Sequence, residues 1–354
     1  MLKLTMLNTT LKKILNKLGI TSESKLGRLW RSIQLSEKLT KRLYFADLVN
    51  SYYIARYINS WEQPVQDTDL LSILVFSYDR AFQLDALLGS FSDKVVDAKK
   101  YKLAIIYRFS TPEHQQAYDE VFALHQDLNI IPIHQDTGTS FKVQTIKIIE
   151  GFTSKKLMFL VDDILFTEDV DLKEFASLPN EFYIPSLRLG KNITYSYAAS
   201  KNIEIPQFIA PTIFSEAKLI PHQTNVWKWS TGERHWRRML SVDGNIFDRR
   251  EYLFLMQQVD FTSPNTLEDA VATAFDEFYK HKLGICYDKS KLVNIPINNV
   301  NQLQDSSFHN RFGNIHQDTL LKLWQQKQQM AYRNLYGVHN TSVHEEIPFE
   351  TQAR

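Results

Sequence analysis

The chain has 354 residues, 44% hydrophobic and 23% charged, with a formal net charge of +1. That is enough apolar material for one large or two modest domains, and it excludes both a disordered chain and a global basic field of the kind that binds nucleic acid. The single cysteine, Cys286, excludes an internal disulfide and fits a reducing compartment; no run is apolar for long enough to cross a bilayer and no secretory signal pattern is seen, so the expected location is cytoplasmic.

Charge is unevenly placed. Residues 1–45 hold ten Lys or Arg against Glu23 and Glu37, a net +8, which leaves −7 for the remainder. Leu4, Leu7, Leu11, Ile14 and Leu18 form one apolar stripe at helical spacing, with Lys12, Lys13 and Lys17 off it. Helical pattern continues to about Ile58, so residues 1–66 read as a basic helical extension. Such an extension suits an anionic membrane surface such as the inner face of a membrane, a seam for a partner helix, or simple packing on the main domain.

After a polar linker containing Pro64, residues 70–77 form an apolar run that predicts a buried strand. Tyr78, Asp79 and Arg80 turn the chain, and Phe82, Leu84, Leu87, Leu88 and Phe91 follow at helical spacing. The turn falls at a strand's carboxyl end, where open α/β sheets bind ligands, so Asp79 and Arg80 are candidate nucleotide contacts; the alternative is a solvated turn. A second strand is expected at 102–107. Ser110-Thr111-Pro112-Glu113 then opens a helix with a hydroxyl cap, an early proline and an acid near the positive end. A third strand at 130–133 and a third helix at 142–152 follow, the latter carrying Lys142 and Lys147 as candidate phosphate contacts, with a solvated lysine as the favoured alternative for Lys147.

Residues 157–161 are apolar and run into Asp162 and Asp163. Two adjacent carboxylates at the end of a buried strand repel each other and lose hydration, so they need a partner. A hard divalent cation that also holds phosphate oxygens is one such partner; an acidic turn is the bland alternative. The alternation of strands and helices up to this point predicts an α/β fold, a mostly parallel sheet with right-handed crossovers and flanking helices.

Beyond residue 166 the character changes. Arg188 interrupts a strand-like run at 182–190, and a buried arginine usually answers an anion. Trp227, Trp229 and Trp236 fall within ten residues, interleaved with Lys228, His235, Arg237 and Arg238. Aromatic faces beside cations suit sugar rings; core packing is the alternative for each tryptophan. Glu268 and Asp269 follow a Ser-Pro helix-start signal, where acids serve either as caps or as a general base. Residues 292–300 form a last strand-like stretch. His309, or His316 just beyond it, is a candidate third metal ligand. A final helix is expected from about Asp318 to Tyr336, and the tail from Gly337, with His339 and His344, reads as mobile.

These motifs together resemble a known family. Val75-Phe76-Ser77-Tyr78-Asp79-Arg80 resembles the opening strand of GT-A glycosyltransferases, Phe159-Leu160-Val161-Asp162-Asp163 their Asp-x-Asp element, and Glu268-Asp269 the Glu-Asp element of inverting members. Ser186-Leu187-Arg188-Leu189-Gly190, Ser241-Val242-Asp243-Gly244 and Ser263-Pro264-Asn265-Thr266-Leu267-Glu268 look like a group of bacterial glycosyltransferase-like proteins of surface-polysaccharide loci. The resemblance covers residues 70–305. It implies a GT-A-like domain over 67–305, with a nucleotide-binding half at 67–166 and an acceptor half at 167–305, followed by a loop, helix and tail at 306–354.

It also implies an inverting transfer from a nucleotide-sugar donor to a glycan or lipid-linked glycan, assisted by Mg²⁺ or Mn²⁺. Donor contacts would fall on Ser77, Tyr78, Asp79, Arg80, Lys142, Asp162 and Arg188; acceptor contacts on Trp227, Trp229, Trp236, Asp243 and Gly244; metal ligands on Asp163, Asp162 and His309. One departure stands out: Val161 or Ile164 occupies the place of one acid in the Asp-x-Asp pattern. Glu268 and Asp269 project about 100° apart on a helix, so only one readily points into the cleft; the general inverting pattern implies Asp269 as the base, and the closer Pro-Asn-Thr-Leu-Glu resemblance implies Glu268, which is favoured. Rival readings are a metal-dependent nucleotidyl- or phosphotransferase and a non-catalytic glycan-binding scaffold.

Overall fold

The structure is a computed structural model and describes residues 69–180, 182–210, 220–279, 281–298 and 315–354, together with helical positions between 32 and 55. The chain divides into two units, 1–64 and 65–354. In the first, residues 43–52 are helical; Leu43 and Tyr44 are exposed and Val49 is buried. The Leu4–Leu18 stripe lies outside the described residues.

The second unit is built on a five-stranded sheet. Strands β1 (Asp69–Tyr78), β2 (Lys102–Arg108), β3 (Ile130–His134) and β4 (Ser154–Val161) are mutually parallel, in the order β4-β1-β2-β3. Helices α1 (Ala81–Lys94), α2 (Pro112–Leu124) and α3 (Phe141–Glu150) supply the crossovers. The apolar runs are explained by burial: Ile73, Leu74, Val75 and Leu157 to Leu160 are fully buried, as expected where helices cover both faces. The alternating pattern thus gives the mostly parallel α/β fold that the sequence predicts.

The caps are equally local. Thr111 Oγ1 accepts from the His114 amide at 3.4 Å at the start of α2, with Pro112 in its first turn. Ser140 does the same for α3.

After β4 the chain makes β5 (Ile164–Phe166), α4 (Leu172–Ala176), β6 (Tyr183–Pro185), β7 (Thr224–Lys228) and β8 (Ile246–Asp248). Strand β8 closes the large sheet beside β4, antiparallel, with Ile246 opposite Met158. Helices α5 (Arg249–Gln258) and α6 (Pro264–Tyr279) follow, then β9 (Leu283–Tyr287) and β10 (Leu292–Asn294). A small sheet has the order β6-β9-β7, and β10 pairs with β5. Helix α7 (Gln317–Gln325) and strands β11 (Gln328–Met330) and β12 (Thr351–Ala353) follow. No helix among the described residues is long and apolar enough to cross a membrane.

The tail departs from expectation. Asn294 N–H donates to Val343 O at 2.9 Å, Glu345 N–H to Asn294 O at 3.0 Å, and Thr194 N–H to Thr341 O at 2.9 Å. Asn340, Ser342 and Val343 are buried. Backbone pairing to two distant segments therefore fixes this stretch, which its polar composition concealed.

Candidate active site

The carboxyl ends of β1 and β4 lie side by side, with Phe76 opposite Val161 and Asp162 N–H donating to Phe76 O at 3.2 Å. That register places the turn after β1 against the two carboxylates after β4. Asp79 takes a left-handed φ of 54°, and its N–H donates to Arg108 O at 3.1 Å. Its carboxylate accepts from the Ser110 amide at 2.8 Å, with His114 Nδ1 at 3.9 Å. Asp79 is thus buried as a brace between the ends of β1 and β2, and offers nothing outward.

The sharp turn sends Arg80 across to the carboxylates. Its Nη1 donates to Asp162 Oδ1 at 3.0 Å and to Asp163 Oδ2 at 3.1 Å, and its Nη2 donates to Asn298 O. The side chains of Asp162 and Asp163 are only 4% and 10% exposed. The other two oxygens are also engaged: Asp162 Oδ2 accepts from the Tyr78 amide at 3.3 Å and Asp163 Oδ1 from Asn294 Nδ2 at 2.8 Å. Tyr118, which sequence reading passed over, orients the turn. Its hydroxyl lies 2.7 Å from Ser77 Oγ and accepts the Arg80 amide at 3.0 Å. Ser77 therefore faces inward.

Electrostatics follow from this burial. Desolvation pushes Asp163 up to about 6 against the pull of Arg80, and Asp162 and Asp243 push it further. Asp162 is raised for the same first reason. Burial opposes the Arg80 charge, but Asp162 and then Asp163 outweigh it and hold the guanidinium above its ordinary value.

A second couple adjoins the first. Arg188 is 1% exposed and donates through Nη1 to Asp243 Oδ2 at 3.1 Å. The anion that this buried arginine answers is thus part of the chain. His344 Nε2 is 3.5 Å from the same Asp243 oxygen, and its ring lies 5.9 Å from that of His235. Asp243 is held below the usual carboxylate range: burial opposes this, and His344 and Arg188 overcome it. His235 is driven down to about 2, by burial first and then by His344 and Arg188, so it stays neutral. Next to Asp243, Gly244 has a φ of 74°, and a Cβ there would lie 2.7 Å from Leu292 Cδ2. Its N–H donates to Phe159 O at 2.9 Å. Gly244 is a backbone requirement that seats Asp243.

Glu268 and Asp269 form the third group. The start of α6 is capped by Ser263 and Thr266: the Ser263 amide donates to Thr266 Oγ1 at 2.8 Å and the Thr266 amide to Ser263 Oγ at 3.3 Å. The acids are therefore free of capping duty. Glu268 turns inward, 8% exposed, and accepts from Arg238 Nε, from Ser241 Oγ at 3.2 Å and from the Val242 amide at 3.3 Å. Asp269 points outward and accepts from Arg238 Nη2 at 2.6 Å.

Several expected contacts fall elsewhere. Trp227, Trp229 and Trp236 are each 0% exposed. Their rings meet edge to face, 4.8 and 4.9 Å apart about Trp227, and their order is fixed by Trp227 Nε1 donating to Trp236 O at 3.1 Å and Trp236 Nε1 to Ile193 O at 3.0 Å. They pack against one another in the interior, so the platform reading of their faces is corrected. Lys142 pairs with exposed Asp260 at 3.1 Å. His316 caps α7 through Nδ1, which accepts from the Asp318 amide at 3.3 Å. His309 lies outside the described residues. Asn294, Asn298 and His344 were missed because each reaches the site from a distant segment with no motif around it, and Arg238 was read only as part of the aromatic–cation cluster, not as the partner of Glu268.

The donor set around Asp162 and Asp163 does not fit an added divalent cation. All four carboxylate oxygens already accept hydrogen bonds, and a guanidinium lies between them. Among the described residues no group of three or more His, Cys, Asp or Glu is arranged to hold a metal ion. A groove of about 910 Å³ lined by Asp169, Lys173, Tyr287 and Lys291 shares no residue with this cleft.

No family model matches the chain. A stretch of 149 residues is 30% identical to the bifunctional glycosyltransferase pgtA of Dictyostelium discoideum, covering 38% of this chain and 18% of that protein. Among solved structures, S. aureus TarS superposes with a TM-score of 0.41 at 13% identity, over 63% of this chain and 36% of that one. TarS 1–349 in complex with UDP-GlcNAc gives a TM-score of 0.41 at 12% identity, over 63% and 57%.

Proposed function

We propose that the chain is a glycosyltransferase that moves a sugar from a nucleotide-sugar donor to a glycan or lipid-linked glycan, with inversion. The observation that carries this reading is the convergence, at the carboxyl ends of β1 and β4, of Arg80 with Asp162 and Asp163, beside the Arg188–Asp243 couple. That is where an open α/β sheet binds its ligand. The local 30% likeness to a glycosyltransferase supports the same class.

In this reading the acceptor hydroxyl oxygen forms a bond to the anomeric carbon as the bond to the donor diphosphate breaks. Glu268 takes the hydroxyl proton. Its carboxylate is held by Arg238, Ser241 and Val242, which leaves a lone pair and little freedom to rotate. Asp243, fixed by Arg188 and His344, lies close enough to Asp163 to act on its charge. Divalent metal has no step here, because the donor set present does not fit it.

The deciding experiment is product analysis with a panel of nucleotide sugars. Release of nucleoside diphosphate, with the anomeric configuration of the product inverted by NMR, is the expected result. Release of pyrophosphate would instead make the chain a nucleotidyltransferase, and a retained configuration would remove Glu268 from its role. The +8 charge of residues 1–45 further supports peripheral contact with an anionic membrane, each basic residue contributing about 1 kcal/mol near the surface. Liposome flotation should then be salt-sensitive and lost on deleting that segment.

A further inference from the structure

We propose that Arg80 is the resident cation of the Asp162–Asp163 pair, so that this pair excludes divalent metal and nucleoside diphosphate binds without it. The inference rests on the nucleotide-sugar reading only for its second half. Exclusion of metal stands on the geometry alone.

One nitrogen, Arg80 Nη1, bridges the two carboxylates at 3.0 and 3.1 Å. A hard cation seeking both acids would have to occupy the same gap, because the outer oxygens are turned toward the Tyr78 amide and Asn294 Nδ2. Mg²⁺ demands near-octahedral oxygen ligation at short range, and Mn²⁺ favours the same oxygen-rich set, so neither can share the space with a guanidinium.

Displacing Arg80 is also disfavoured from behind. Its Nη2 is held by Asn298 O, Asn298 Oδ1 in turn accepts from Gln83 Nε2 at 3.0 Å, and the Arg80 amide is held by Tyr118 OH at 3.0 Å. Two distant segments thus fix this residue, Tyr118 through its backbone amide and Asn298 through its guanidinium. Among the described residues no other carboxylate lies within ion-pair distance of it, so a displaced Arg80 would be a buried charge without a counter-ion. The missing acid of the Asp-x-Asp pattern, Val161 or Ile164, fits a site in which an arginine supplies the charge that an ion otherwise would. Arg80 is in this sense a positioning residue for the pair.

The test uses the full chain and Mn²⁺ followed by electron paramagnetic resonance. Wild type and Arg80→Lys, which keeps a cation in place, should show no Mn²⁺ binding dependent on Asp163. Arg80→Gln should unmask the pair and gain Mn²⁺ affinity by at least about tenfold, a gain lost again in Arg80→Gln/Asp163→Asn. A purely structural role for Arg80 would not produce that gain. Mn²⁺ bound by the wild type and lost in Asp163→Asn overturns the proposal, and this comparison decides it even if Arg80→Gln does not fold.

A second arm measures UDP and GDP binding calorimetrically, in EDTA and in Mn²⁺. Equal affinities support the proposal, and roughly tenfold tightening by Mn²⁺ overturns it. If neither nucleotide binds under either condition, the glycosyltransferase reading fails, and the Mn²⁺ titration still judges the exclusion by itself.

Discussion

Two adjacent acid pairs, Asp162–Asp163 and Glu268–Asp269, meet opposite fates in the same unit of the chain. Each is bridged by one arginine, Arg80 in the first case and Arg238 in the second. At the strand end the two carboxylate side chains are only 4% and 10% exposed, and that of their arginine 11%. On the helix one acid is buried and its neighbour is 57% exposed, under an arginine that is 40% exposed. The difference lies in the backbone. A turn between β4 and β5 can fold two successive side chains under one guanidinium, whereas helical geometry sends successive side chains about 100° apart. Identical local chemistry therefore gives a rigid, desolvated cluster in one place and a half-solvated, asymmetric one in the other.

The largest expected effect tests that asymmetry through rate. Glu268→Gln should lower turnover by about 10²–10⁴, because only the inward acid can take the acceptor proton. Donor affinity measured alongside should stay within about twofold, since the substituted group does not hold the donor. Turnover unchanged by Glu268→Gln but collapsed by Asp269→Asn would reverse the assignment.

Stability comes next. Arg80→Gln leaves two buried carboxylates without their cation and should cost about 3–5 kcal/mol in urea denaturation. Arg238→Gln removes a partly solvated bridge, and Glu268 keeps Ser241 and the Val242 amide, so the cost should be about 1 kcal/mol. Equal losses for the two arginines would erase the contrast drawn between the pairs.

A smaller, pH-dependent effect arises from the groups between them. His235 is kept neutral in the fold, near a pKa of 2, while an unfolded histidine binds a proton below about 6.5. Its contribution is complete above that pH and is lost as pH falls, by roughly 2–3 kcal/mol at pH 4.5. Asp163 acts with opposite sign over part of this window: its pKa of about 6 lies above the usual carboxylate value, so its penalty fades as pH drops. The difference between wild type and His235→Gln isolates the histidine. The melting temperature of the variant should fall less steeply from pH 7 to 4.5, and parallel curves would show that His235 is protonated in place. The smallest effect belongs to Asp269→Asn, at most about 0.5 kcal/mol with turnover unchanged.

Much of this was legible in the residue order. Apolar runs at β1, β2 and β4, bounded by turn residues, predict buried strands, and the helical patterns between them predict a parallel sheet with its ligand end at the strand termini. The residue order thus puts Asp162, Asp163 and Arg80 at one edge, and helix periodicity implies that only one of Glu268 and Asp269 turns inward, the choice of Glu268 resting on the motif that ends on it. The tryptophans misled because an aromatic–cation cluster reads the same whether its faces turn outward or against each other. Only the tertiary structure closed Trp227 and Trp229 onto Trp236. It also decided the counter-ion. A strand end announces that two carboxylates need positive charge, but whether a metal or a guanidinium supplies it depends on which side chains arrive from elsewhere. Arg80 comes from 82 residues away and is aimed by Tyr118 and Asn298. His344 reaches Asp243 on a tail fixed through Asn294 and Thr194. Local sequence sets backbone period and burial, which are short-range properties; the partner of a buried charge is a long-range one, set only when distant segments are brought together.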